Sequence, residues 1–403
     1  MLAEPISSPP AATAGELPFD RLKDAAATPT KLSVGSLMMP IALLAICIYF
    51  SVVSGGLFLS PRNLSMLAIE LSITAVLALG MLLVILPGHI DLSVGSGVGL
   101  IGGIAAVLTL WHGWPAILAM GAATAIALLI WWAMGAVIVL QRVPAFIITL
   151  GGLLAFRGLH WLVIKNSTVP VVEGGGNNLY SNLTTLYLPP ALGLGLCGAV
   201  VAALVGVAIA GYRRQKAAGD GVSGELLAMR TFVICQSILL VVLVCNAYRG
   251  LPLPAVIFAV VATAVWFLTQ QTPLGRYLYA IGGNEEAALI SGIPLHAVTI
   301  AAFVMMGGLV ALTGFLQTAY AGASTTTVGN LLELDAVAAC VIGGASLRGG
   351  RGTVGGVVLG SLVMAALLNG MTLLAVSPEA KYIARGSVLA LAVWADARMR
   401  KPN

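Results

Sequence analysis

Few residues in this 403-residue chain can do chemistry, and most of them stand beside or inside long apolar runs. Asp91 interrupts two such runs in the string PGHIDLSVGS, residues 87–96. Pro87 and Gly88 end one helix there, and Asp91 can cap the next, with Ser93 two residues on. An unpaired carboxylate at bilayer depth costs on the order of 2.5–3.5 kcal/mol. Asp91 therefore either caps a buried helix or lines a wet path. Glu70 and Glu333 each sit at the outer end of an apolar run, a position that fits the headgroup level. Arg157 lies late in its run and either snorkels outward or faces a path. Catalytic and metal constellations are missing from the pattern. His89, His112, His160 and His296 form no HExxH pair, and the five cysteines show no CxxC spacing, so no metal site and no disulfide is expected. A Walker A loop needs Gly-Lys before its Ser or Thr, and none of the six lysines follows a glycine. The chain is not expected to hydrolyse ATP by a P-loop, and no cofactor is expected in it.

The elements that position these residues are membrane spans. The chain is 59% hydrophobic and 9% charged, with mean hydropathy +1.01, whereas a soluble domain carries roughly 25% charged residues. The fold class expected is all-α, a polytopic helical integral membrane protein. Apolar stretches near 34–54, 64–86, 92–110, 115–140, 144–164, 187–211, 231–247, 253–270, 298–320, 354–374 and 382–397 approach the roughly 20 residues a span needs. Ala336–Leu347 is too brief for a simple span and reads as a broken or re-entrant helix buried in the bundle. Counting it gives about twelve passes. With both ends in the cytosol, fourteen of the 20 Lys and Arg residues fall at cytosolic ends, a positive-inside bias that the opposite orientation would reverse. The basic balance, net charge +5, thus speaks of topology and not of nucleic acid. Residues 1–33, rich in Pro, Ala, Ser and Thr, read as a disordered cytosolic tail ahead of a transmembrane domain over 34–398, with a short cytosolic tail at 399–403.

Two segments of the chain resemble each other. Glu70-Leu71 opens a run leading to Gly95, Gly99 and Gly103, and Glu333-Leu334 one leading to Gly352, Gly356 and Gly360. Each triplet is GxxxGxxxG, which sets three glycines on one helix face for close packing. The pattern suggests an internal duplication of the kind found in transporters.

Thr272–Pro294, TPLGRYLYAIGGNEEAALISGIP, is polar and rich in small residues between apolar stretches. It reads as a short helix over Asn284–Ser291, with Asn284 as cap, Glu285 and Glu286 in the first turn, and Gly292 and Pro294 at the exit. Gly282 and Gly283 are expected to turn the chain into it. Ala287 and Ala288 would leave a thin face able to enter a groove on another protein.

Together, IDLSVGS, GRYLYAIGGNEEAALISGI, LDAVAACVIGGASLRGGRGTVGG, NGM and LALAVWAD resemble the sugar permease family of ABC importers, over about residues 40–398. Ribose-type members of that family are shorter. The extra pair of spans over 187–247, with LAFRG at 154–158, is most similar to the xylose branch. The pattern departs at three places. His89 precedes IDLS where a small or acidic residue is usual, Arg348 follows GGASL, and Leu289-Ile290 replaces a common Arg-Leu pair.

The resemblance implies a multi-pass protein of the bacterial inner membrane that works by alternating access. Its partners would be a second permease copy, a cytosolic ABC ATPase using ATP and Mg, and a periplasmic sugar-binding protein, with a monosaccharide, D-xylose first, as substrate. Ribose, arabinose or galactose are the alternatives. The loop 272–296 becomes the coupling loop, with Gly282, Gly283, Asn284, Glu285, Ala287, Ala288, Ser291 and Gly292 facing the ATPase. Path candidates are Asp91, Ser93, Phe146, Thr149, Arg157 and Asn369. Phe146 can stack on a sugar or face lipid, and Asn369 can bond a hydroxyl or join two helices. A proton- or sodium-driven transporter would place several ionisable residues within its spans, which look nearly bare apart from Arg157. A membrane enzyme would need clustered catalytic groups, and a channel would have no use for a docking loop.

Overall fold

The computed structural model describes residues 34–172, 176–217 and 224–399. The expected tails, 1–33 and all but the first residue of 399–403, lie outside them. Among the described residues the chain is almost entirely helical: α1 Val34–Val53, α2 Pro61–Ile85, α3 Val94–Leu110, α4 Ala116–Leu140, α5 Ala145–Val163, α6 Leu179–Thr185, α7 Pro190–Ala217, α8 Gly224–Asn246, α9 Leu253–Gln271, α10 Pro273–Gly283, α11 Glu285–Ile290, α12 Leu295–Ala321, α13 Leu332–Ile342, α14 Val354–Leu373 and α15 Pro378–Met399. Each of the twelve apolar stretches carries a helix. By length and composition eight of them (α2, α4, α5, α7, α8, α9, α12 and α14) suffice to cross a membrane. Sequence reading missed α6 and α10, which are too short or too polar to register as spans.

Local signals set the ends. Ser60 caps α2 by accepting from the Asn63 N–H at 3.4 Å, with Pro61 in the first turn. Thr353 caps α14 by accepting from Gly356 at 3.1 Å. Beyond Glu70, α2 carries no charged residue and is apolar all round, so this part belongs in the middle of a bundle, and most of its length is buried. Around it pack α9, α12, α13 and α14, with α4 along α12 and α5 along α3. Trp131 of α4 is the largest wholly buried side chain, seated against Gly97 of α3 and Gly307 of α12. The pair α7–α8 is peripheral and lies mostly exposed. Two short antiparallel pairings, Val169–Pro170 with Ala323–Ser324 and Tyr187–Leu188 with Leu251–Pro252, tie together loops that are distant in sequence.

The duplicated pattern has a structural counterpart. An apolar helix, a non-helical turn and a glycine-rich helix recur as α2–α3 and α13–α14. At eleven residues α13 is about 16 Å long, half a bilayer core. Eight of its eleven residues are buried, as a half-helix enclosed by a bundle requires.

Candidate coupling site

The segment expected to leave the membrane folds as two helices joined at Asn284. Thr272 caps the first, α10, by accepting from Gly275 at 3.3 Å, and Leu278 and Ile281 anchor it to the core. The second is the short helix read from the sequence. Asn284 Oδ1 accepts from the Ala287 N–H at 2.9 Å, and the exposed Glu285 and Glu286 occupy the positive end of the helix. At the far end the Gly292 N–H donates to Leu289 and the Ile293 N–H to Ala288, at 3.0 and 3.1 Å. This is a Schellman closure, and Gly292 takes the left-handed conformation it needs, φ 78°. Ser291 Oγ donates back to Ala287 O at 2.8 Å.

Two details differ from expectation. Gly282 and Gly283 make no turn, since both lie in the last turn of α10 with ordinary φ and the change of direction falls on Asn284, at φ −163°. Ala288 is 4% exposed and packs inward, whereas Leu289 and Ile290 stand 62% and 87% exposed at the tip. A helix held by both caps must seat one face on its own protein, and the small residue takes that face. The outward face is therefore Ala287 with Leu289-Ile290. The signal was legible: two large apolar residues in the middle of a polar loop.

Beside this arm lies His89, its ring 6.2 Å from that of Phe303. Burial pushes the imidazole pKa down, and the nearby Glu285 opposes the shift.

The path candidates divide into three groups. Asp91 is wholly buried. Its Oδ1 accepts from the Ser93 N–H and Oγ, and its Oδ2 from Trp131 Nε1 at 2.7 Å. The N-cap of α3 is Ser93, with Asp91 bonded to it from two residues before, so the pair anchors a helix start. Thr149 Oγ1, also buried, donates to Ile90 O at 3.3 Å and ties α5 to the same turn. Phe146 is 54% exposed on the outside of the chain.

Asn369 joins helices: its Oδ1 accepts from Asn63 Nδ2 at 2.8 Å, and its Nδ2 donates to Glu70 Oε2 at 3.0 Å. Glu70 Oε1 accepts from the Tyr320 hydroxyl at 2.8 Å. Arg157 Nη2 donates to Asn330 Oδ1 at 3.0 Å, and Asn330 Nδ2 to the Tyr382 hydroxyl at 3.2 Å. Behind that chain, Arg385 Nε lies 3.1 Å from Asp335 Oδ1, with Asp335 1% exposed. The spans are thus not bare of charge apart from Arg157. Glu70, Glu333, Asp335 and Arg385 all lie on helices of the bundle, and Glu333 is buried against other parts of the protein. Sequence reading missed the Arg385–Asp335 pair because its members are fifty residues apart.

The first glycine triplet packs as a face. Gly95, Gly99 and Gly103 admit Glu333, Val328 and His160 against the α3 backbone. In the second, Gly356 and Gly360 admit Gly343 and Ala339 of α13. Gly352 is not part of that face, because it precedes the cap of α14, where the chain is still a turn.

A bundle of apolar helices holding buried polar ties and presenting a rigid, capped helix at one end has the architecture of a membrane permease subunit. The family described as "Branched-chain amino acid transport system / permease component" matches residues 63–393. The chain belongs to that family: it is a transport component of the inner membrane and not an enzyme. Similar proteins include the xylose transport system permease protein XylH of Escherichia coli (strain K12), 37% identical over 376 residues, 92% of this chain and 93% of that one. XylH of Haemophilus influenzae is 39% identical over 378 residues, 90% and 96% of the two chains. The ribose import permease protein RbsC of Escherichia coli (strain K12) is 33% identical over 356 residues, 88% and 92%. No solved structure matches the chain.

Proposed function

We propose that this chain is the membrane-spanning subunit of an ATP-driven importer of D-xylose, paired with a second copy of itself. A cytosolic ABC ATPase docks on α11 and uses the ATP and Mg, and a periplasmic binding protein delivers the sugar. The observation that carries the reading is α11 itself: a helix of six residues, capped at both ends, whose tip leaves Leu289 and Ile290 uncovered by any of the described residues. ATP-driven closure of the ATPase pair moves α11, and the path between the permeases alternates between outward- and inward-facing. The choice of sugar is supported by the names of the relatives, with the xylose permeases more similar than the ribose permease. Arg157 and Asn330, half-buried and bonded to each other, are groups able to meet sugar hydroxyls.

Deleting the gene is expected to abolish high-affinity xylose uptake, measured with labelled sugar. Intact xylose uptake together with lost ribose uptake would assign the second relative's substrate instead.

The topology proposed puts both ends of the chain, α11 and the α7–α8 turn in the cytosol. The external loop at 174–178 lies only partly within the described residues. In a cysteine-free background, a cysteine at exposed Lys216 should resist a membrane-impermeant thiol reagent in intact cells and react after lysis. Efficient labelling of intact cells would reverse the orientation.

A further inference from the structure

The coupling arm is locked to two turns that start helices in the middle of the bundle. One turn is the α2–α3 connection, Leu86 to Ser93. The other is the connection between α13 and α14, where Ser346 to Gly352 reads SLRGGRG. Leu86 O accepts from the Gly350 N–H at 2.9 Å, so the two turns are bonded to each other. Gly282 of the arm fits between them so closely that a Cβ there would land on Leu86 O and the Gly350 nitrogen. A Cβ on Gly349 would come within 2.8 Å of Gly282 Cα and of the Gly88 nitrogen. Gly88, Gly349 and Gly350 all have positive φ, 93°, 89° and 72°, which lets the three backbones approach. From the arm, the Tyr279 hydroxyl donates to Gly352 O at 2.7 Å, the last residue before the cap of α14. The α2–α3 turn leads through Asp91 into α3, and the other turn joins half-helix α13 to α14.

We propose that this three-way glycine joint is a transmission element, through which movement of α11 displaces α3 and the α13–α14 pair together. Backbones in direct contact leave no compressible layer between them, so a displacement of the arm cannot be absorbed locally. A bonded pair of turns also cannot follow the arm one at a time. Tyr279 and Gly350 are positioning residues in this reading: neither touches the ATPase or the sugar. The inference rests on α11 being the docking helix.

The test uses the permease reconstituted in liposomes with its ATPase and binding protein, measuring ATPase co-purification, hydrolysis and sugar taken up per ATP hydrolysed. Tyr279→Phe removes the bond to Gly352 O and the longer one accepted from Gln270 Nε2 at 3.4 Å, and should lower uptake per ATP about two- to tenfold, with the ATPase still bound. Gly350→Ala should lower it further. If Gly350→Ala does not assemble, Tyr279→Phe alone decides. Wild-type uptake per ATP in Tyr279→Phe would overturn the proposal. So would loss of ATPase binding in that variant, which would make the joint part of the docking surface. Failure of the wild-type permease to bind the ATPase is a different result, because it removes the coupling reading itself and the joint's role with it.

Discussion

Ile290→Asp is expected to abolish sugar uptake while the permease still inserts and folds. Ile290 is 87% exposed at the tip of α11 and contributes nothing to the core, so its replacement should leave the thermal unfolding of the isolated permease unchanged. In a docked complex the same side chain would be buried, a gain of about 1.5–3 kcal/mol for an isoleucine. An aspartate there loses that gain and must also be desolvated. Co-purification of the ATPase should fall at least tenfold, together with hydrolysis stimulated by loaded binding protein. Leu289→Asp should act in the same direction. Ala288→Arg is a different experiment, because Ala288 faces inward at 4% exposure and an arginine there would break the seat of α11 on its own protein. An Ile290→Asp permease that assembles and transports like the wild type would leave α11 an ordinary connector.

Asp91→Ala should be the most damaging single change in the core. The carboxyl accepts from Ser93 N–H, Ser93 Oγ and Trp131 Nε1, and all three residues are fully buried. Removing it strands three donors, each costing about 1–3 kcal/mol when buried without a partner. Little folded permease should survive extraction, and what does should melt well below the wild type. Asp91→Asn retains one acceptor oxygen and should fall between the two. Trp131→Phe should destabilise by less than Asp91→Ala, and the double variant by less than the sum, since both remove the same bond. Unchanged melting of Asp91→Ala would mean that the bond network is dispensable and would return Asp91 to the substrate path.

Local signals were readable because their physics is local. The cap at Asn284, the acidic first turn and the left-handed exit at Gly292 all involve residues within nine positions of one another, and the structure has each in its expected place. The twelve apolar stretches became helices because a backbone in lipid must bond within its own segment. Readings that needed a partner from elsewhere fared differently. Asn369 had two readings, and its bonds to Asn63 and Glu70, some three hundred residues away, select the one that joins helices. Glu333 could not be assigned a buried position without knowing that Gly95 leaves space for it.

The sequence by itself determined the class of protein, the order of the twelve apolar stretches that form helices, and the position and caps of α11, because hydropathy and capping act over one helix length at most. Only the tertiary structure decided which face of α11 points outward, that Gly282 serves close approach and not a turn, and that Arg385 pairs with Asp335. Those outcomes depend on which backbones and side chains arrive at the same place, and for residues fifty or three hundred positions apart that is fixed by the packing of the whole bundle.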